Sequence, residues 1–261
     1  MNVVLIPCYN RPEFLHVCLE LIQQAEGCED NLYLFQVDWG YDPEVLEIIE
    51  TFPLKKEVNL TPNHNYPNKQ SYSVLTGYEN CLKHNPAFVF MIEDDVFISN
   101  DFFIWHLRNI GVNWGSIATR SHNNKRIRPT NNLASVFIEP EYQSLGVCFK
   151  ASSVREFLSY VNEEYYTNPA EYIKKTFPKS MIPTIYCEQD GLIRRVIQLK
   201  RHKIVFPHVP RAFHAGFYGK SRGERPIGNL EERVNQVRYT AFDPDIMKGD
   251  SKPEMLVNPI L

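Results

Sequence analysis

The sequence predicts an α/β fold with a mostly parallel central sheet flanked by helices. Three observations carry that prediction. Predominantly apolar segments of strand length recur at residues 3–6, 32–37 and 88–92, each followed by a polar turn. Between them lie segments whose apolar residues repeat at i, i+3, i+4 and i+7, the stripe of helices packed on a sheet. Strand and helix alternate from the start of the chain, the order that gives parallel strands joined by right-handed crossovers.

In chain order, residues 3–6 form a first strand that ends at Pro7. The polar loop Cys8-Tyr9-Asn10-Arg11 leads into a helix that starts near Pro12, since proline is favoured in a first helical turn. Phe14, Val17, Cys18, Leu21 and Ile22 make its buried stripe. The second strand closes at Asp38-Trp39-Gly40. Asp42-Pro43-Glu44 then opens a helix with a capping Asp, a first-position Pro and a first-turn acid. Val45, Leu46 and Ile49 are its apolar side. Residues 59–68 read as loop and 69–84 as a helix with Leu75, Tyr78 and Leu82 on one face. That helix delivers the chain to the buried strand at 88–92, which runs straight into Glu93-Asp94-Asp95 and then into apolar Val96-Phe97-Ile98.

Ser99-Asn100-Asp101 supplies a cap for a helix over residues 102–109. Short strands follow at 117–119, 133–138 and 145–149, separated by long polar loops that include the basic run 120–128. Ser153 and Glu156 have the spacing of a capping box, opening a helix that carries Val154, Phe157, Leu158 and Val161. A short helix is expected at 170–177. Glu188-Gln189-Asp190 opens another, with Ile193, Val196 and Ile197 inward and Arg194, Arg195, Lys200 and Arg201 outward. A late strand covers 203–206, and residues 211–223 read as a flexible, ligand-facing loop.

At 261 residues the chain can build one large α/β domain with a sizeable core. A net charge of −3 gives no global case for binding nucleic acid or an anionic membrane. The apolar run at 3–6 has no basic flank and is too short for a signal peptide or a membrane span, and no later run approaches spanning length. Six cysteines show no Cys-x-x-Cys pair, so neither a zinc site nor a disulfide framework is indicated. A cytoplasmic protein with reduced thiols and no membrane contact is expected, in which the sequon Asn59-Leu60-Thr61 has no use.

The acidic triplet is the chemical focus. Unpaired buried charge costs several kcal/mol, so the triplet is expected at the surface, where its strand leaves the sheet. In open α/β sheets ligands bind at that carboxyl edge. Carboxylates there bind Mg²⁺ or Mn²⁺ and, through the metal, a diphosphate. Solvated turn acids are the plain alternative.

The run Glu93-Asp94-Asp95-Val96-Phe97-Ile98-Ser99-Asn100-Asp101-Phe102-Phe103 resembles the α-1,3-mannosyl-glycoprotein β-1,2-N-acetylglucosaminyltransferase family of GT-A glycosyltransferases. That family carries Glu-Asp-Asp after a buried strand and closes the segment with Asp-Phe-Phe. A similar order of segments extends in patches from about residue 2 to 223. The resemblance implies a GT-A, Rossmann-like fold with a smaller acceptor-side half. Residues 1–242 would form one domain, with 1–98 the nucleotide-sugar half and 99–242 the acceptor half, and 243–261 a surface tail.

It further implies metal-dependent, inverting transfer from a nucleoside-diphosphate sugar, a UDP-sugar, with Mn²⁺ or Mg²⁺ as cofactor. By position Asp95 is the metal ligand, joined by His214 from the C-terminal loop. Donor-binding candidates are Pro7, Tyr9, Asn10 and Arg11 in the first loop, Asp38 at the uracil, Lys69, and Glu93 and Asp94 at the ribose and around the metal. Asp190 matches the catalytic base, although Glu188-Gln189-Asp190-Gly191 replaces a Trp-rich version of that motif.

Each residue has a bland alternative: helix cap for Asp190, turn acid for Asp38, solvated loop cation for Arg11, hydrogen-bonded structural histidine for His214. His64 and His122 are given no role. A sugar nucleotidyltransferase would want a Gly-rich phosphate loop after the first strand, and residues 7–12 contain no glycine. A non-catalytic nucleotide-sugar-binding module is the third reading. The acceptor stays open among a glycan, a lipid-linked sugar, a protein and a hydroxymethylated base in viral DNA. The DNA reading rests on three basic clusters: Arg120 with Lys125, Arg126 and Arg128; Arg194 and Arg195 with Lys200 and Arg201; Lys220 with Arg222 and Arg225.

Overall fold

The computed structural model describes residues 1–119, 135–216, 229 and 232–235. Strands β1 (Asn2–Cys8), β2 (Asn31–Val37), β3 (Lys56–Leu60) and β4 (Phe88–Met91) form a parallel block in the order β3-β2-β1-β4. The same sheet continues through β8 (Val147–Lys150), β6 (Gly115–Ile117), β9 (Ile204–Pro207) and β7 (Val136–Glu139). Of these, β8 runs antiparallel to β4 and β6, β9 parallel to β6, and β7 antiparallel to β9.

Side chains alternate across the parallel strands and so build two cores. Val4, Ile6, Tyr33, Phe35 and Phe90 pack with the residues of α1 (Pro12–Gln24), α2 (Pro43–Thr51) and α4 (Phe102–Asn109). Val3, Leu5, Leu32, Leu34, Val89 and Met91 pack with α3 (Lys69–Leu82), α5 (Ala151–Leu158) and α8 (Gln189–Lys200). Two short helices, α6 (Glu163–Thr167) and α7 (Pro169–Thr176), join the second core through Tyr165, Tyr172 and Ile173. Gly77 lets α3 lie close on the sheet, because a Cβ there would come within 2.6 Å of Leu5 Cδ1.

Strand order reverses between β1 and β4, which makes their carboxyl ends the topological switch point of the sheet. Leu5 opposite Met91 is the last paired position, and beyond it the loops after β1 and β4 part. The chain then leaves the sheet as β5 (Val96–Ile98), which pairs antiparallel with β10 (Ala212–His214) and sets Val96 opposite His214.

Several sequence expectations need correction. β1 does not stop at Pro7 but continues to Cys8, with Pro7 opposite Gln36 of β2. β3 was hidden because Lys56-Glu57-Val58-Asn59-Leu60 is a polar, half-exposed edge strand, and it takes up the first two residues of the expected 59–68 loop. α3 ends at Leu82, and β6 lies at 115–117 instead of 117–119. Ser153 and Glu156 form no capping box: α5 starts three residues earlier, with Lys150 at the cap position, Ser153 Oγ donates to Trp114 O (2.6 Å), and Glu156 Oε2 accepts from Trp114 Nε1 (2.8 Å). Asp101 holds the N-cap position of α4 as expected, but its carboxylate bonds no helix N–H and accepts instead from Ser99 Oγ (2.7 Å) and Arg211 Nε (3.1 Å). Arg195 points inward, and part of the supposed 211–223 loop is β10. The basic run 120–128, Lys220, Arg222, Arg225 and the tail 243–261 lie outside the described residues.

Among the described residues no helix is long and apolar enough to cross a membrane. All six cysteines are free, and five are buried. Asp42 caps α2 as expected, its Oδ1 accepting from Glu44 N at 3.1 Å. Asp42→Ala is expected to lower unfolding free energy by about 1 kcal/mol, read as a lower urea midpoint at unchanged slope.

Candidate functional site

The turn between β1 and α1 brings Arg11 over the switch point. Its Nη1 donates to Asp95 Oδ2 and its Nη2 to Asp94 Oδ1, one guanidinium spanning two carboxylates. The Asp94 and Asp95 side chains are only 4% and 2% exposed, against 22% for Arg11. The triplet is therefore not the surface feature expected from sequence. Two of its acids go under because a cation goes with them, and the reading of Arg11 as a solvated cation fails for the same reason.

Burial pushes both carboxyl groups up in pKa while Arg11 pulls both down. At Asp95 the imidazole of His214 adds to the pull, and the group ends below the ordinary carboxylate range. Burial, then Asp95 and Asp190, push half-buried Glu93 well up. The acidic turn and the start of α8 thus lie close enough to repel one another.

His214 reaches the site through the β5–β10 ladder, which continues as Ala215 N donating to Asp95 O at 2.8 Å. Its Nε2 lies 3.1 Å from Asp95 Oδ2. Two residues on, Gly216 has its backbone against the same carboxylate, where a Cβ would overlap Asp95 Oδ2. Sequence reasoning missed Gly216, although its position two residues after His214 was the available signal.

Asp190 opens α8 as a half-buried carboxylate. Oδ2 accepts from Ser144 Oγ at 3.2 Å, while the buried Oδ1 has no hydrogen-bond partner. Burial pushes Asp190 up to about 6, against the pull of Ser144 and Arg194. It is not the N-cap, a position held by Glu188. Gln189 ties this helix end to α3: Ser71 Oγ donates to Gln189 Oε1 (2.8 Å) and accepts from Gln189 N (3.1 Å). Neither Ser144 nor Ser71 was singled out from sequence, because isolated serines carry no positional signal.

Asp38 ends β2, its Oδ1 accepting from Trp39 N at 2.9 Å. Burial raises its pKa, offset by that N–H and by His64 and Lys69, so these side chains gather around one strand end. His64, given no role from sequence, belongs to this group and packs at a tilt against Tyr72, with ring centroids 4.4 Å apart. Tyr9 and Asn10 are exposed beside it, with the Tyr9 ring over Gly40. Pro7 stays within the sheet.

The residues fit a divalent cation with few protein ligands. Asp95 Oδ1 is buried without a partner, and an imidazole nitrogen stands at the other oxygen of the same carboxylate. An oxygen–nitrogen pair suits Mn²⁺ better than Mg²⁺. No group of three or more His, Cys, Asp or Glu among the described residues surrounds a single point. A metal held here would take its remaining ligands from diphosphate oxygens and water, as such sites do.

Solved structures similar to this chain include S. aureus TarS, with a TM-score of 0.51 and 10% identity over 98% of this chain and 41% of that one. The chain thus spans about two-fifths of TarS. The fold is GT-A. An active-site mutant of LgtC aligns with a TM-score of 0.49 at 9% identity, over 79% of this chain and 72% of that one. The mannosyltransferase PcManGT from Pyrobaculum calidifontis, in complex with GDP-Man and Mn²⁺, gives 0.48 at 12% identity, over 98% and 67%. No family model and no curated protein sequence matches the chain.

Arg11→Met would leave two adjacent carboxylates buried without their counter-charge. Breaking a buried pair typically costs about 3–5 kcal/mol, and the low end is expected here because Arg11 is partly exposed. With the cation gone, burial holds the Asp94 carboxyl above its unfolded value, and His214 offsets part of the same rise at Asp95. The variant should therefore be destabilised at pH 7.5 and regain stability as pH falls towards 5, read as a narrowing gap in Tm from the wild type.

Proposed function

We propose that this chain is an inverting, metal-dependent glycosyltransferase that moves a sugar from a nucleoside-diphosphate sugar, a UDP-sugar, to an acceptor hydroxyl. The observation that carries the reading is the juxtaposition at the switch point. Asp95, with an open buried oxygen and His214 beside it, and Asp190, whose Oδ1 is also open, both lie close enough to Glu93 to act on its charge. One end of that arrangement suits a diphosphate and the other a proton acceptor.

Asp38, with Lys69 and His64 near it, would hold the base, and Tyr9 and Asn10 the flank of the nucleotide. Glu93 would reach the ribose. Arg11 supplies positive charge where the diphosphate lies, while keeping Asp94 and Asp95 ionised and in place. A bound Mn²⁺ or Mg²⁺ would supply Lewis-acid stabilisation of the leaving diphosphate. Asp190 Oδ1 accepts the proton of the acceptor hydroxyl as its oxygen attacks the anomeric carbon. The anomeric C–O bond breaks on the opposite face, and the nucleoside diphosphate leaves with the bonding pair. A single displacement of this kind inverts the anomeric centre.

A carboxylate held at about 6 suits a general base working near neutral pH. The base is active only when deprotonated, so kcat/KM should rise with pH through about 6 and level off above it. Asp190→Asn should lower turnover by about 10²–10⁴-fold with donor affinity little changed, and remove that acid limb. Loss of donor affinity with turnover of bound donor intact would make Asp190 a binding residue.

Asp95→Asn is isosteric and leaves Arg11 its partner Asp94, so the fold should persist while metal-stimulated release of nucleoside diphosphate is lost. Near wild-type release by a folded Asp95→Asn protein would end the metal assignment. Anomeric proton coupling in the product reads inversion directly.

A further inference from the structure

We propose that the turn of residues 181–187, clamped by Arg195, is the docking lip for an acceptor that carries an apolar or aromatic group beside its reactive hydroxyl. The proposal rests on Asp190 being the base. Arg195 is 1% exposed and forms no ion pair among the described residues. Its Nη1 donates to Tyr186 O (2.6 Å) and Gly191 O (2.8 Å), and its Nη2 to Ile182 O (2.9 Å) and Pro183 O (2.8 Å). A buried guanidinium is costly unless its donors are satisfied. Here both Nη atoms are satisfied, by three carbonyls of one short turn and by Gly191 O of α8, while the buried Nε has no partner. Gly191 completes the clamp, since a Cβ there would overlap Tyr186 O. Tyr186 N also donates to Pro183 O at 3.1 Å.

This fixed backbone displays side chains that proteins usually cover. Met181 is 95% exposed, Ile185 77% and Tyr186 53%. No residue from 181 to 187 is charged, and Asp190 follows Tyr186 by four positions. With Arg195 withdrawn into the core and Glu188 exposed at the end of the turn, the lip offers little to a phosphate backbone. It offers an edge of aliphatic and aromatic surface, held in place before anything binds. A preformed apolar edge binds without the cost of ordering a loop, and a tyrosine ring packs well on a flat apolar group.

The test uses the whole chain and pairs of p-nitrophenyl and methyl glycosides of the same sugars, with affinities from saturation-transfer NMR titrations. The aryl member of a pair should bind about tenfold more tightly. A Tyr186→Ala, Ile185→Ser double variant, changed only at exposed positions, should lose that advantage without a change in Tm. Equal affinity for the two members, including none for either, overturns the proposal, as does an aryl preference that survives in the double variant. Release of nucleoside diphosphate from a panel of donors, measured in parallel, separates the two claims. Aryl preference with no donor consumed would keep the turn as an apolar binding edge but remove its role for an acceptor together with the transferase reading. Donor consumption without aryl preference would do the reverse.

Discussion

Two neighbouring carboxylates cut off from water cannot stay ionised at a sheet edge without a positive partner, and Arg11 is that partner. The pairing explains why the first loop and the acidic turn belong together despite 84 positions of sequence between them. Parallel pairing of β1 with β4 brings both loops to the same end of the sheet, and the reversal of strand order leaves room between them. Pro12 starts α1 immediately after Arg11, so the guanidinium is delivered from the N-cap position of that helix. α1 then supports the acidic turn from below, Cys18 Sγ lying 3.4 Å from Val96 O.

Much of the N-terminal half was legible because its strands and helices differ clearly in apolar spacing. The stripe of α1, the Asp42 cap of α2 and the span of α4 are all local signals, and local signals survive in the fold. What could not be read depends on partners far along the chain. Lys56 to Leu60 looks like loop because an edge strand needs apolar character on only one side, and its hydrogen bonds come from β2. Ser153 and Glu156 have the spacing of a capping box but are claimed by Trp114, a competing partner that spacing does not reveal. Arg195 reads as a solvated cation on any helical wheel, since nothing in the pattern shows that four carbonyls will enclose it.

The candidate site shows the same division. Asp94, Asp95 and Asp190 were found as strand-end and helix-start acids, features with a position in the sequence pattern. The burial of the first two, the open oxygens of Asp95 and Asp190, and the fit of Gly216 against a carboxylate are properties of the assembled surface. Polar bridges hold that surface together. Ser71 with Gln189 and Ser144 with Asp190 join the start of α8 to elements on either side of it. The geometry near Asp190 is thus set by short side chains, which leave little slack.

The β5–β10 ribbon also has a consequence for the order in which the molecule is made. Val96, Phe97 and Ile98 emerge from the ribosome more than a hundred residues before Ala212, Phe213 and His214, their strand partners. Until those partners arrive, a fully apolar strand has an open edge, and the acidic turn lacks the imidazole that helps hold Asp95 ionised. A nascent chain can therefore complete the parallel block around β1 early, whereas the corner around Asp95 can form only once His214 has been made. Contacts of such long separation also slow folding, because the closing loop must be ordered before the ladder repays it. The carboxylate of Asp95 cannot meet its imidazole before β10 exists. That corner comes with β10.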